Sequence, residues 1–150
     1  MKQKYQNQQP TVLETILVGI AKALWWLIKY PFTKGKKGGC GITTADRNHI
    51  ASKRQEIETM LRSENIHELK QALFEADKMV DHILKLKGYA GETFADRLRS
   101  AESYIDRNLY NEIWQGHKVR NQLAHEQGVG VRNNELRDAA GKLLKYAKMV

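Results

Sequence analysis

The stretch from Glu64 to Gly88 reads ENIHELKQALFEADKMVDHILKLKG, and its apolar residues recur every three or four positions. That spacing is typical of an amphipathic α-helix with one face turned toward a core. A helix is therefore predicted over residues 64–87, and Gly88 is expected to end it. The stripe that we expect to be buried comprises Ile66, Leu69, Leu73, Ala76, Val80, Ile83 and Leu84.

The same helical periodicity extends over residues 42–150. No segment there shows the alternation of apolar and polar residues that is typical of a β-strand. Further helices are predicted over about 44–62, 94–104 and 106–126, with Asn133 capping a last one. Three residue pairs resemble capping boxes at helix starts: Thr43 with Asp46, Asn65 with Glu68, and Thr93 with Asp96. The fold class predicted is all-α: an antiparallel bundle of four main helices plus one short helix, preceded by an N-terminal hydrophobic helix.

The net charge of +8 is unevenly distributed along the chain. Residues 1–38 carry seven Lys against Glu14, whereas residues 39–150 carry 18 basic against 16 acidic residues. The basic excess therefore lies beside the most apolar stretch, TVLETILVGIAKALWWLIKYPF at residues 11–32. Basic charge beside an apolar stretch indicates a membrane surface before it indicates a nucleic-acid groove.

Residues 11–32 are long enough to cross a membrane, since 22 helical residues span about 33 Å. Lys22 at the centre opposes insertion, and it shares one helical face with Glu14 and Lys29, as in a helix lying in the interface. Spanning and interfacial binding both stay open, beside a soluble helix packed on its own domain. The anchor is expected to comprise Leu13, Ile16, Leu17, Ile20, Leu24, Trp25, Trp26, Leu27 and Ile28. The lysines that follow predict a membrane-associated chain whose soluble domain faces the cytoplasm.

Four segments are thus predicted: a polar N-terminus at 1–10, a hydrophobic helix at 11–32, a basic glycine-rich linker at 33–41 and the bundle at 42–150. The single cysteine, Cys40, excludes an intramolecular disulfide and a cysteine-based zinc site. No histidine has metal-ligand spacing, so neither a metal nor a cofactor is expected. We expect the carboxylates Glu75, Asp77 and Asp81 to form a solvated helix face.

Residues 117–126, HKVRNQLAHE, place Arg120 and His125 near the end of a predicted helix, with Asn121 directly after the arginine. This resembles the Arg-x4-6-His signature of the HEPN superfamily in its RNxxxH form. HEPN proteins are small helical bundles with that motif near the end of an inner helix. The resemblance covers about residues 42–150.

The resemblance implies a metal-independent endoribonuclease of toxin or defence type, or a relative that has lost or changed that activity. In active members two protomers form one composite site. It implies that Arg120, Asn121 and His125 are the site residues, that the chain is a homodimer acting on RNA, and that an antitoxin or other protein partner exists. Histidine can transfer a proton near neutral pH, and arginine can stabilise a phosphorane-like transition state.

Two structural alternatives stay open for the motif. Arg120 could form an ion pair within the bundle, and His125 could act as a cation at the helix C-terminus. The near-neutral charge of residues 39–150 also counts against RNA binding. The alternative function is a non-catalytic, membrane-bound helical scaffold that recruits a protein partner.

Overall fold

The computed structural model describes residues 41–125 and 130–150. This part of the chain contains five α-helices, a 3₁₀ turn at Glu102–Tyr104 and no strand, which confirms the all-α prediction for these residues. The hydrophobic helix predicted at 11–32 and nearly all of the linker lie outside the described residues. No described helix is long and apolar enough to cross a membrane. The helices are α1 (Thr44–Met60), α2 (Ile66–Leu86), α3 (Phe94–Ala101), α4 (Arg107–His125) and α5 (Asn133–Ala147).

Two of the three predicted capping boxes are confirmed. At the start of α1 the Thr43 hydroxyl accepts a hydrogen bond from the Asp46 backbone N–H at 3.1 Å, and the Asp46 carboxylate accepts one from the Thr43 N–H at 2.9 Å. Thr93 and Asp96 form the same reciprocal pair at the start of α3. Each pair satisfies backbone donors that a helix start otherwise leaves without partners.

Two further predicted helix starts differ in detail. Asn65 caps α2 by accepting a hydrogen bond from the His67 N–H at 2.9 Å, rather than through a box with Glu68. Arg132, not Asn133, is the residue before α5, and the Glu135 carboxylate accepts from its backbone N–H at 3.2 Å. Asn133 is instead the first helical residue, and its side-chain amide donates to the backbone oxygen of Glu64 at 3.1 Å.

The core is built around α2, which packs against α1, α4 and α5, while α5 also packs along α4. The predicted stripe of α2 is buried, except that Ile66 is 37% exposed because it is the first residue of the helix. Tyr104, at the end of the predicted short helix, is exposed as well. The largest fully buried side chains are Ile57, Leu69, Leu73, Val80, Ile83, Leu84, Leu98, Ile113, Leu136 and Leu143.

Arg137 of α5 joins the last helix to the turn between α1 and α2. Its guanidinium donates to the backbone oxygens of Leu61 at 3.1 Å and Ser63 at 2.8 Å, and pairs with the Glu64 carboxylate at 2.7 Å. These contacts satisfy two carbonyls that follow the end of α1. Arg137 therefore holds α5 to the turn between α1 and α2.

Candidate functional site

A buried carboxylate–histidine pair joins α2 to the second half of α4. His117 Nδ1 lies 2.7 Å from Asp77 Oδ1, and the two residues are only 9% and 5% exposed. The imidazole stacks on Phe94, with 4.0 Å between ring centroids and 7° between planes, and Trp114 meets it edge-on at 6.0 Å. The aromatic contacts fix the plane of the imidazole, and Asp77 fixes its rotation within that plane.

Asn121 continues this contact one turn further along α4. Its side-chain nitrogen lies 2.9 Å from His117 Nε2, and its side-chain oxygen accepts a hydrogen bond from Arg120 Nη1 at 3.0 Å. A guanidinium has only donors, so the amide oxygen must face Arg120 and the amide NH₂ must donate to Nε2. His117 Nε2 is therefore the acceptor, and Nδ1 carries the proton that Asp77 accepts. The arrangement selects the neutral imidazole with the proton on Nδ1.

Arg120 closes the arrangement into a ring of four side chains. Its Nε lies 3.4 Å from Asp77 Oδ2, within ion-pair distance, although Nε forms no hydrogen bond to any described residue. The guanidinium carbon lies 5.3 Å above the ring of Phe74, a cation–π distance. The Arg120 side chain remains 32% exposed. We call Asp77, His117, Asn121 and Arg120 the polar ring.

His125 is the last residue of α4, and its side chain lies outside the described part of the structure. Its helical position follows Asn121 by four residues, as Asn121 follows His117, so the three share one stripe of the helix. Each such step is about 6 Å along the axis. The structure thus joins two of the three predicted site residues, Arg120 and Asn121, by a direct hydrogen bond.

The prediction of a solvated carboxylate face on α2 is wrong for Asp77. Asp77 lies within the buried stripe, four residues after Leu73 and three before Val80, and both of those side chains are fully buried. A carboxylate at such a position requires a partner, because an unpaired buried charge is strongly unfavourable. The position of Asp77 within the apolar stripe was the feature of the sequence that could have identified it as a buried, partnered residue. His117 had a weaker feature of this kind, its four-residue spacing from Asn121.

Asp81, one turn after Asp77 on α2, pairs with the buried Arg97. Its Oδ1 accepts from Arg97 Nε at 2.7 Å and lies 2.6 Å from Arg97 Nη2, and Lys85 approaches its other oxygen at 2.7 Å. Arg97 also donates to the backbone oxygen of Gly91 at 2.7 Å. This pair holds the loop before α3 and does not include a motif residue.

A second polar cluster lies between α1 and α2. Glu75 accepts a hydrogen bond from Lys78 at 3.0 Å and lies 3.4 Å from Lys53 Nζ, and the Lys78 contact lowers the pKa of the Glu75 carboxyl. The rings of His49 and His82 meet edge-on beside it, 6.2 Å apart. Lys53 also pairs with Glu56 at 3.0 Å, so two carboxylates balance the two lysines and this cluster offers no concentrated charge to a ligand.

The surface next to the polar ring is formed by α4. This surface is concave, and it is lined by Asn111, Trp114, Gln115, His117, Lys118 and Asn121. Amide, indole and ammonium groups can donate hydrogen bonds to phosphate or base oxygens. Within residues 41–125 and 130–150, no cluster of three or more His, Cys, Asp or Glu could hold a metal ion.

Comparisons of the chain with protein-family models, with curated proteins and with solved structures found no match.

Proposed function

We propose that residues 42–150 form a metal-independent endoribonuclease domain whose site is completed by a second copy of this chain, and that residues 11–32 attach it to a membrane. The observation that carries the proposal is the contact between Arg120 and Asn121. These adjacent motif side chains share a 3.0 Å hydrogen bond, and His125 follows one turn later on the same helix. The proposal also rests on the resemblance of residues 117–126 to the HEPN signature.

The proposed reaction is an internal transfer within RNA. The 2′-oxygen attacks the adjacent phosphorus, the bond from phosphorus to the 5′-oxygen breaks, and the products are a 2′,3′-cyclic phosphate and a 5′-hydroxyl. A base must accept the 2′-hydroxyl proton, and an acid must protonate the leaving 5′-oxygen. One His125 from each protomer would supply these two roles. Arg120 would stabilise the charge that develops on the phosphoryl oxygens, and Asn121 would orient the phosphate.

The test uses the purified full-length chain, labelled single-stranded RNA and excess EDTA. His125→Ala and Arg120→Ala should each abolish detectable cleavage, because acid–base help contributes about 10²–10⁴-fold and one transition-state donor about 10²–10³-fold. Glu126→Ala, beside His125 but outside the motif, should leave cleavage nearly unchanged. Cleavage that requires Mg²⁺ or survives both motif substitutions would contradict the proposal.

Arg120→Ala needs a stability control that the motif alone does not suggest. Substitution of a catalytic residue at a fully accessible site would leave the thermal midpoint nearly unchanged. Arg120 is in fact half-buried and faces the buried Asp77, so its removal leaves that carboxylate without its countercharge. Arg120→Lys keeps the charge but loses the planar fork of donors. Loss of cleavage in a stable Arg120→Lys variant separates catalysis from folding.

The second candidate function is a non-catalytic, membrane-bound scaffold that recruits a protein partner. The specific observation in its favour is that Arg120 pairs with Asp77 inside its own bundle at 3.4 Å. An arginine with that contact has a structural role that requires no RNA. A wild-type chain that cleaves no RNA and binds a protein partner through the bundle supports this candidate.

The HEPN resemblance also motivates the biological setting of the proposal. Endoribonucleases of this kind act as toxins or in defence, so we propose an antitoxin or another protein partner that restrains the domain. Examination of neighbouring genes for a small nucleotidyltransferase or another antitoxin tests this part.

A further inference from the structure

We propose that Asp77 and His117 are positioning residues that hold Arg120 and Asn121 in the geometry needed for RNA cleavage. This inference rests on the proposed function and adds two residues from outside the motif. Neither Asp77 nor His117 would touch the RNA. They act through the hydrogen bonds and the ion pair of the polar ring.

The hydrogen bonds of the polar ring run in one direction. Arg120 donates to Asn121 at 3.0 Å, Asn121 donates to His117 at 2.9 Å, and His117 donates to Asp77 at 2.7 Å. The ion pair between Arg120 and Asp77, at 3.4 Å, closes the ring. Each side chain is therefore held by two others. Such mutual support fixes rotamers more firmly than a single contact does.

The pairing of Arg120 differs from the pairing of Arg97, which serves a purely local structural role. Arg97 makes two short contacts with Asp81, and only 8% of its side chain is exposed. Arg120 donates one Nη1 hydrogen to Asn121 and directs Nε toward Asp77. A guanidinium carries five N–H donors, so four of those on Arg120 form no hydrogen bond to the described residues, and of these four only Nε faces Asp77. The Arg120 side chain is 32% exposed. Its contacts with Asp77 and Asn121 hold it in place, and its remaining donors can bind a phosphate.

Burial of Asp77 and His117 is not explained by stability alone. Both are removed from water, which costs free energy that the contacts within the ring have to offset. Apolar residues of similar volume could fill the same space between α2, α4 and Phe94 at comparable or greater stability. What apolar residues could not supply is an acceptor for Arg120 and a partner for the amide of Asn121. The ring is therefore best explained by the two side chains that it orients.

The experiment compares Asp77→Asn with Asp81→Asn in the full-length chain. Both substitutions replace a carboxylate on α2 that pairs with an arginine, and only Asp77 belongs to the polar ring. Asp77→Asn keeps an oxygen that can accept from His117 Nδ1 but removes the charge that faces Arg120. We expect its kcat to fall by about 10²-fold, the loss that a small misplacement of a catalytic group can cause. Its KM should stay equal or decrease, because the net positive charge near the RNA rises. Asp81→Asn should leave both parameters near wild type.

His117→Gln and His117→Leu form the rescue pair. Glutamine keeps one donor for Asp77 and one acceptor for Asn121, so we expect it to retain most of the kcat. Leucine keeps the apolar packing against Phe94 and loses both hydrogen bonds, so we expect it to resemble Asp77→Asn. All rates are compared at a temperature where every variant is folded by circular dichroism.

Two results would overturn the positioning role while wild-type cleavage stays intact. One is an equal fall in kcat for Asp77→Asn and Asp81→Asn. The other is a nitrogen NMR spectrum near neutral pH in which the His117 ring is protonated on Nε2 or on both nitrogens. A wild-type chain that cleaves no RNA overturns the proposed function and the positioning role together. The His117 spectrum then still reports whether the polar ring exists.

Discussion

Gly116 of α4 lies so close to Leu143 of α5 that no side chain could occupy the space between them. A Cβ atom built on Gly116 would come within 2.7 Å of Leu143 Cγ and 2.7 Å of the Ala139 backbone oxygen. The close approach of the two helices fixes the half of α4 that carries three of the four residues of the polar ring. It also provides a matched pair of glycines, because nothing lies within 4 Å of a Cβ on Gly141 of α5.

Gly116→Ala should destabilise the protein by about 1–3 kcal/mol, because a methyl group there must displace backbone as well as the Leu143 side chain. Gly141→Ala should stabilise it by about 0.5–1 kcal/mol, since alanine is the better helix former and has room. Urea unfolding monitored by circular dichroism measures both. Equal effects of the two substitutions would contradict the close approach of α4 to α5 at Gly116.

Tyr146→Phe should leave the free energy of unfolding unchanged or raise it. The Tyr146 side chain is buried at 3% exposure, and its hydroxyl has no hydrogen-bond partner among the described residues. Removal of an unpaired buried hydroxyl also removes its desolvation penalty. A clear loss of stability in Tyr146→Phe would instead reveal a partner for the hydroxyl.

The same tyrosine predicts a loss of stability at alkaline pH. Burial, with a smaller contribution from Tyr89, raises the pKa of Tyr146 above its usual value of about 10. The folded state therefore keeps a proton that the unfolded state releases above about pH 10, so stability falls as the pH rises beyond that point. Chemical unfolding from pH 8 to 11 should show a smaller fall for Tyr146→Phe than for wild type.

Thr93→Val should raise the pKa of Asp96 toward the ordinary value of about 3.9. Hydrogen bonds from the side chain and backbone of Thr93 hold the pKa of the Asp96 carboxyl below that value. A lowered folded-state pKa contributes stability that is present above about pH 4 and is lost as the pH falls through the folded value. The stability difference between Thr93→Val and wild type should therefore shrink in acid. Carbon NMR titration measures the pKa. Asp46, which forms the equivalent capping box with Thr43, serves as the unchanged control.

Residues 39–150 should sediment as a homodimer at micromolar concentration. One arginine and one histidine form an incomplete site for acid–base cleavage, and a two-fold axis would bring two sets together. Equilibrium sedimentation over a concentration series measures the association. A monomer throughout that series would contradict the composite site and favour the scaffold function.

The full-length chain should fractionate with membranes through residues 11–32. The physical reason is the 22-residue apolar stretch followed by Lys34, Lys36 and Lys37. Carbonate washing distinguishes the two arrangements, since a spanning helix resists it and an interfacial helix is released. Recovery of the full-length chain in the soluble fraction without detergent would contradict both.

Local sequence signals predicted most of the helical architecture of the described residues. Thr43 and Thr93 form their capping hydrogen bonds with residues only three positions further along the chain, so their capping geometry follows from the sequence. At α5 the cap lies one residue earlier than predicted, because the Glu135 carboxylate accepts from the backbone N–H of Arg132, while the Asn133 side chain contacts Glu64, which is distant in sequence. Ile66 fits the apolar period, yet it lies at a helix end where no neighbouring helix covers it.

The candidate site likewise contains residues that the sequence identifies and residues that only the folded structure identifies. Arg120 and Asn121 are adjacent, and a short motif was sufficient to select them. Asp77 precedes His117 by 40 residues, and their contact depends on how α2 and α4 pack. A single sequence gives the register of each helix but not which buried faces meet. The partner of His117 therefore became identifiable only in the folded bundle.

The contacts of Arg137 with the α1–α2 turn have a consequence for the order of events during synthesis. The turn and the apolar stripe of α2 leave the ribosome before α5, which follows about 60 residues later, or roughly 3–12 seconds at about 5–20 residues per second. Until α5 arrives, Leu61 and Ser63 lack the guanidinium that donates to their carbonyls, and α2 lacks a principal packing partner. The nascent α1–α2 hairpin therefore stays incompletely folded until α5 has been synthesised.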